Sequence, residues 1–239
     1  MDKFNPPNFL GEGFQPKHEE MFFEGSVTSV RDLPELPPNI LEKIPQLEKS
    51  ATGYVVKQYN KADANFSKQD SVLVGSVDTK SLVGQQLVLK ARQAALRLYL
   101  GEELPGIIVP SEFFVARNDS DDFAVYEIQP RLPEYQTLDT IQAAFIKKLN
   151  PRQREKLIAT GRILLSNLRK LLTEENDPVF KVFVPDLNST NIAITNTGDI
   201  KIFDTNYFGF RLSPSIPRKV EFAAKSLELL IAGMESGQI

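Results

Sequence analysis

Apolar residues along this chain follow two rhythms. Through most of the first 130 residues they gather in short runs of β-branched and aromatic side chains; beyond that they recur every three or four positions. Gly53-Tyr54-Val55-Val56-Lys57-Gln58-Tyr59 reads as a buried strand, followed by a polar loop over 60–70. Residues 107–116 and 123–129 read as two further strands joined by the turn Asn118-Asp119-Ser120-Asp121-Asp122, and Pro130 and Pro133 end the second. One helix interrupts this front half. Over 81–103 the positions Val83, Leu87, Ala91, Ala94, Ala95 and Leu98 recur at three and four, and Pro105-Gly106 closes it. Residues 1–50 carry Pro6, Pro7, Pro16, Pro34, Pro37, Pro38 and Pro45, which leaves room only for short strands at 21–23 and 27–30 in a segment that wraps over a core.

The later rhythm is helical. Helices are expected over 138–149 and 151–172, the second with Asn150 as its N-cap and Pro151 at its first position. Leu157, Ile158, Gly161, Leu164, Leu165, Leu168, Leu171 and Leu172 form the inner face of that second helix. Two short strands, 192–195 and 200–203, flank the turn Asn196-Thr197-Gly198-Asp199, and a last helix covers 218–234. The order predicts an α+β chain with a strand-rich part over 1–132 and a mainly helical part over 133–239.

Composition narrows the chemistry. The 239 residues include one histidine and no cysteine, which removes disulfides, thiolate nucleophiles, iron–sulfur clusters and histidine-rich metal clusters. His18 reads as surface structure, and the 16 phenylalanines as core and cover. Lysine and arginine are scattered and the formal charge is −3, so the basic footprint of a nucleic-acid binder is missing. No stretch reaches the roughly 18 apolar residues of a membrane span. The N-terminus has neither a basic nor an apolar signal region, so a soluble, cytoplasmic protein is expected.

One segment carries candidate chemistry: Phe183-Val184-Pro185-Asp186-Leu187-Asn188-Ser189-Thr190-Asn191, then two short strands ending at Asp204. Asp186 opens a loop, Asn191 closes it five residues later, and Asp204 follows thirteen residues after that. This pattern resembles the catalytic core of the protein-kinase-like superfamily, which includes the aminoglycoside and choline kinase-like phosphotransferases. The resemblance implies a two-lobed fold with a β-rich N-lobe and a shortened helical C-lobe, binding ATP and Mg²⁺ between them. It implies Asp186 as catalytic base and Asn191 and Asp204 as metal ligands. The residue types suit that role, because Mg²⁺ takes hard oxygen ligands and a separate carboxylate must face the acceptor hydroxyl.

In the front half, Tyr54-Val55-Val56-Lys57 resembles the strand whose lysine meets the nucleotide phosphates. Lys90 is the rival if 87–90 is strand rather than helix. A lysine so placed calls for a carboxylate from the following helix, where Gln85, Gln86 and Gln93 stand instead. The segment Tyr126-Glu127-Ile128-Gln129-Pro130-Arg131-Leu132 takes the place of the adenine-contacting hinge, with Gln129 as its cofactor-side residue.

The chain departs from the family in several ways. Gly11-Glu12-Gly13 and Gly25-Ser26 are the only phosphate-loop candidates, Val184-Pro185 precedes Asp186, and Thr205-Asn206 follows Asp204. Only 35 residues follow Asp204, so the acceptor falls to the helices over 138–172 or to the last helix. The resemblance implies an acceptor hydroxyl on a protein or small molecule. The alternatives are a pseudokinase-like nucleotide-binding or protein-interaction module without catalysis, and nucleotidyl transfer (AMPylation) by the same residues.

Overall fold

The computed structural model describes residues 23–24, 28–33, 47, 52–59, 74, 78, 81–117, 122–205, 208–211 and 215–239. The chain is mixed α+β, with antiparallel sheets and four helices whose full course is described. It divides into two compact units, Met1–Ala91 with Pro110–Arg131, and Arg92–Val109 with Leu132–Ile239. The loop 60–70, His18, both glycine pairs considered for a phosphate loop, and 118–121 of the expected turn lie outside the described residues.

The first unit is built on one five-stranded antiparallel sheet. Its strands are β1 (Phe23–Glu24), β2 (Thr28–Leu33), β3 (Tyr54–Tyr59), β4 (Glu112–Arg117) and β5 (Phe123–Pro130), in the order β1-β2-β3-β5-β4. Side chains alternate between its faces. Tyr54, Val56, Tyr126 and Ile128 pack on one side, while Tyr59, Phe113 and Val125 gather with Leu89 on the other. The strand expected over 107–116 begins only at Glu112. Pro110 interrupts it, and the preceding residues make a parallel bridge in the second unit, where Ile202 donates its N–H to Ile107 O and Val109 donates to Ile202 O.

Helix α1 (Leu82–Gly101) exists as expected but presents a different face. Val83, Leu87, Ala94 and Leu98, four of the six positions that suggested its inner stripe, are exposed, and Leu98 is 79% accessible. Val88, Leu89, Leu96 and Leu100 are buried instead, together with the polar Gln85, Arg92 and Gln93. A rule that scores only apolar spacing misses a helix that turns three polar side chains inward.

In the second unit, α2 (Ala143–Lys147) occupies only the centre of the helix expected over 138–149. Thr140 donates its N–H to Thr137 O, and the Gln136 side chain accepts the Gln142 N–H. These turn contacts hold the segment open before α2 starts. Helix α3 (Pro151–Thr173) starts as the sequence predicts. Asn150 Oδ1 accepts the Gln153 N–H at 3.0 Å while Gln153 Oε1 accepts the Asn150 N–H at 2.8 Å, a reciprocal cap.

Helix α4 (Ser215–Glu235) packs closely along α3. A Cβ added at Gly161 would lie 3.1 Å from Ile231 Cδ1, so the glycine permits this approach. The ion pairs Arg162–Glu235 and Arg169–Glu228 flank the contact. Three small strands complete one sheet, β6 (Tyr135–Thr137), β8 (Ile192–Thr195) and β9 (Ile200–Ile202), and two more pair separately, β7 (Phe183–Pro185) with β10 (Phe208–Phe210). Among the described residues no helix is long and apolar enough to cross a membrane.

Arg211 fastens several of these pieces. Its guanidinium donates to Leu172 O at 2.6 Å, to Leu171 O at 2.7 Å and through Nε to Phe180 O at 2.9 Å, so a cation meets the carbonyl end of α3. Arg211→Ala leaves these carbonyls short of donors and is expected to lower the unfolding free energy by about 2 kcal/mol. Urea denaturation measures this, and an unchanged midpoint would assign the cation no structural role.

Candidate functional site

Strand β7 delivers Asp186. Its residues Phe183, Val184 and Pro185 are buried and pair with Phe210, Gly209 and Phe208 of β10. Leu187 then donates its N–H to Pro185 O at 2.8 Å, closing a three-residue turn centred on Asp186. The next turn, a 3-10 segment over Ser189–Asn191, is capped by Asn188, whose Oδ1 accepts the N–H groups of Thr190 (2.8 Å) and Asn191 (3.2 Å) and the Thr190 hydroxyl. Asn188 Nδ2 donates to Asp186 Oδ1 at 3.0 Å, so the residue that caps the turn also fixes the carboxylate. Asp186 Oδ2 lies 3.3 Å from Lys219 Nζ of α4. The Asp186 side chain is 13% accessible and Lys219 is half exposed.

Asn191 is tied to the same loop. Its Nδ2 donates to the backbone carbonyl of Asp186 at 2.9 Å, which orients the amide, and its Oδ1 accepts from the Thr190 hydroxyl at 3.3 Å. The register carries this to Asp204. Ile192 pairs with Ile202, and Phe203 donates its N–H to Asn191 O at 3.1 Å, so Asp204 follows directly on the residue bonded to Asn191. Asp204 is exposed and has φ of 55°, the one non-glycine residue with positive φ among the described residues. Aspartate tolerates this conformation better than most side chains, and such backbone outliers concentrate at functional sites. The second unit therefore brings Asp186, Asn191 and Asp204 together.

The hairpin between Asn191 and Asp204 is pinned to α3. Gly198 turns with φ of 77°, and a Cβ there would stand 2.7 Å from Gln153 O. Asp199 Oδ1 meets Lys156 Nζ at 2.5 Å. Burial raises the Asp199 pKa, but hydrogen bonds from Lys156 and the Thr197 hydroxyl outweigh it and hold the carboxyl below its usual value. A lowered folded value means stability present above the unfolded aspartate pKa, about 3.9, and lost as pH falls through the folded one. The stability difference between the native chain and Lys156→Met is thus expected to be constant above about pH 5 and to close below about pH 4. Urea midpoints from pH 2 to 7 test this, and a difference independent of pH would refute it.

The first unit holds Lys57 and Gln129. Lys57 is 7% accessible, and its ammonium lies 3.6 Å from Glu127 Oε2, directly across β3 and β5. Tyr59 donates its hydroxyl to the same oxygen at 2.7 Å. The carboxylate partner sought on the following helix thus comes from the neighbouring strand. Glu127 was missed by sequence reasoning, although a lone acid inside the apolar run of β5 signals a buried cation. Lys90 lies within α1, half exposed, 3.6 Å from Glu112, which removes the strand on which its candidacy depended. The Gln129 side chain is buried and donates to Ser111 Oγ at 2.5 Å. Arg131 donates its N–H to Gly53 O and accepts from the Thr52 hydroxyl, so both of its backbone groups are engaged.

Beside Asp186 lies a cavity of about 410 Å³ lined by Asn188, Ser189, Thr190, Arg218, Lys219 and Phe222. Asn188, Lys219 and this lining carried no signal that sequence reasoning used; the polar run 188–190 after Asp186 was the nearest hint. Among the described residues no group of three or more carboxylate or imidazole side chains is placed to hold a metal. Asn191 Oδ1 and the exposed Asp204 carboxylate are two oxygen donors of the type magnesium takes when phosphates and water complete its shell. No protein-family model matches the chain, and no curated protein matches it significantly.

Proposed function

We propose that this chain is an ATP-dependent phosphotransferase of the protein-kinase-like kind, two-lobed in fold, that moves the γ-phosphoryl group to a hydroxyl. The observation that carries the reading is the Asn191 amide bonded to the Asp186 carbonyl, with Asp204 following the residue bonded to Asn191. The three residues that carry the resemblance share one loop and hairpin.

Asp186 is the base. Asn188 holds Oδ1, and a carboxylate accepts several hydrogen bonds, so an acceptor hydroxyl has room to bond it. The acceptor oxygen forms a bond to the γ-phosphorus, the bond from phosphorus to the β,γ-bridging oxygen breaks, and ADP departs with that electron pair. The acceptor proton passes to Asp186 late in the transfer. Asn191 Oδ1 and Asp204 would hold magnesium, which neutralises charge on the phosphate oxygens. Lys57, held by Glu127, supplies a fixed cation for the nucleotide phosphates.

A thermal-shift titration with ATP and Mg²⁺ tests the binding half. At about 100 times the dissociation constant the gain is about 2.7 kcal/mol, a rise of roughly 5–10 °C for a chain of this length. No shift with any nucleotide overturns the reading, and Asp204→Ala is expected to abolish the magnesium-dependent part. Label from the γ-position must then reach an acceptor. Transfer only from the α-position would replace the reading by nucleotidyl transfer, and a shift without any transfer by a binding module.

A further inference from the structure

The cavity beside Asp186 has a composition of its own. Its floor is the loop over 188–190, and its other wall is the first turns of α4, where Arg218 and Lys219 are adjacent and Phe222 follows. Arg218 is exposed and makes no ion pair among the described residues. Lys219 touches Asp186 at 3.3 Å while half exposed, and an ion pair so placed is weak and readily exchanged. Phe222 is 60% accessible on the same wall. Two cations and an exposed ring thus surround the space next to the proposed base.

We infer that the acceptor is a small hydroxylated anion, seated in this cavity with its phosphate or carboxylate on Arg218 and Lys219. The inference rests on the phosphotransferase reading for the word acceptor, and on the cavity alone for the anion. A volume of about 410 Å³ lies within the range of small-molecule sites. Guanidinium and ammonium side by side match a carboxylate or phosphate, the guanidinium by paired hydrogen bonds. The ring of Phe222 covers the carbon face of the molecule. An anion that draws Lys219 toward itself also frees Asp186 Oδ2 for the hydroxyl, so the base is opened by the molecule it serves. Exposed Glu221, three residues beyond Arg218 on α4, disfavours an acidic polymer lying further along the helix.

The test uses the full chain without nucleotide, followed by ¹⁵N–¹H correlation spectra. The probes are ribose 5-phosphate, glycerol 3-phosphate and gluconate, against ribose, glycerol and a Glu-Glu-Ser-Glu-Glu peptide. At least one anion is expected to move the amides of 188–190 and 218–222 in a saturable way, at least tenfold more tightly than its neutral parent. Arg218→Glu is expected to weaken that binding at least tenfold while spectrum and melting temperature elsewhere stay unchanged. Equal binding of anions and neutral parents, shifts centred elsewhere, or indifference to Arg218→Glu overturns the inference, as does tighter binding of the peptide. Failure of the parent reading looks different: the anion binds and Arg218 matters, yet no label from ATP reaches it. Label transfer indifferent to Arg218→Glu leaves the parent reading standing and removes this one.

Discussion

Asp186→Asn is expected to slow γ-phosphoryl transfer by about 10²–10⁴-fold while the rise in melting temperature with ATP and Mg²⁺ persists. The replacement keeps the shape of the side chain, and the new amide oxygen can still accept from Asn188 Nδ2. What disappears is the proton acceptor and the pairing with Lys219, and the second loss is small because Lys219 is half exposed. The backbone carbonyl of Asp186 is untouched, so its bond to Asn191 Nδ2 survives and Asn191 keeps its place. Transfer rate and nucleotide shift should therefore separate. Asn188→Ala provides the contrast: it removes a cap, costing about 1 kcal/mol, and leaves Asp186 present without its Asn188 bond, so transfer falls without being lost. A transfer rate unaltered in Asp186→Asn would defeat the assignment of the base.

The second large effect concerns stability. Glu127 is fully buried, accepts the Tyr59 hydroxyl and faces the Lys57 ammonium. Glu127→Ala removes the buried carboxylate that faces Lys57 and accepts from Tyr59, and is expected to lower the unfolding free energy by about 3–5 kcal/mol. The double variant Lys57→Met with Glu127→Leu removes both charges and should recover most of that loss, because apolar side chains of similar size often replace a buried pair at no cost. Function should not follow stability. A double variant that is stable yet shows no shift with ATP identifies Lys57 as the phosphate cation; a full shift rules it out. Urea denaturation with and without nucleotide reads both quantities.

Some of this was legible in the chain. Asn150-Pro151 announced the start of α3 because capping is a local matter of a few bonds. The intervals linking Asp186, Asn191 and Asp204 were legible because a hairpin converts sequence spacing directly into neighbourhood. Other features depended on distant partners. The buried face of α1 includes Arg92, whose guanidinium lies 5.9 Å from the ring centre of Phe208, more than a hundred residues away. No periodicity rule anticipates that contact. Strands β6, β7 and β10 are three residues each, too short to leave an alternating pattern. Lys219 reaches Asp186 from 33 residues further along, with only tertiary packing to bring it there.

The course of the chain between the two units bears on how the protein can be made and cut. The second unit is discontinuous, because residues 92–109 belong to it while 110–131 belong to the first. During synthesis the first unit is complete once residue 131 has emerged, and Leu96, Leu100, Leu104 and the Ile108 bridge must wait for the rest of their core. A fragment beginning at 132 would carry Asp186, Asn191 and Asp204 but lack those apolar residues and the N–H and carbonyl groups that meet Ile202. Pro130 and Pro133 therefore mark a change in composition and not a place to divide the protein. Separate expression of the second unit would need residues 92–109 restored by a new connection.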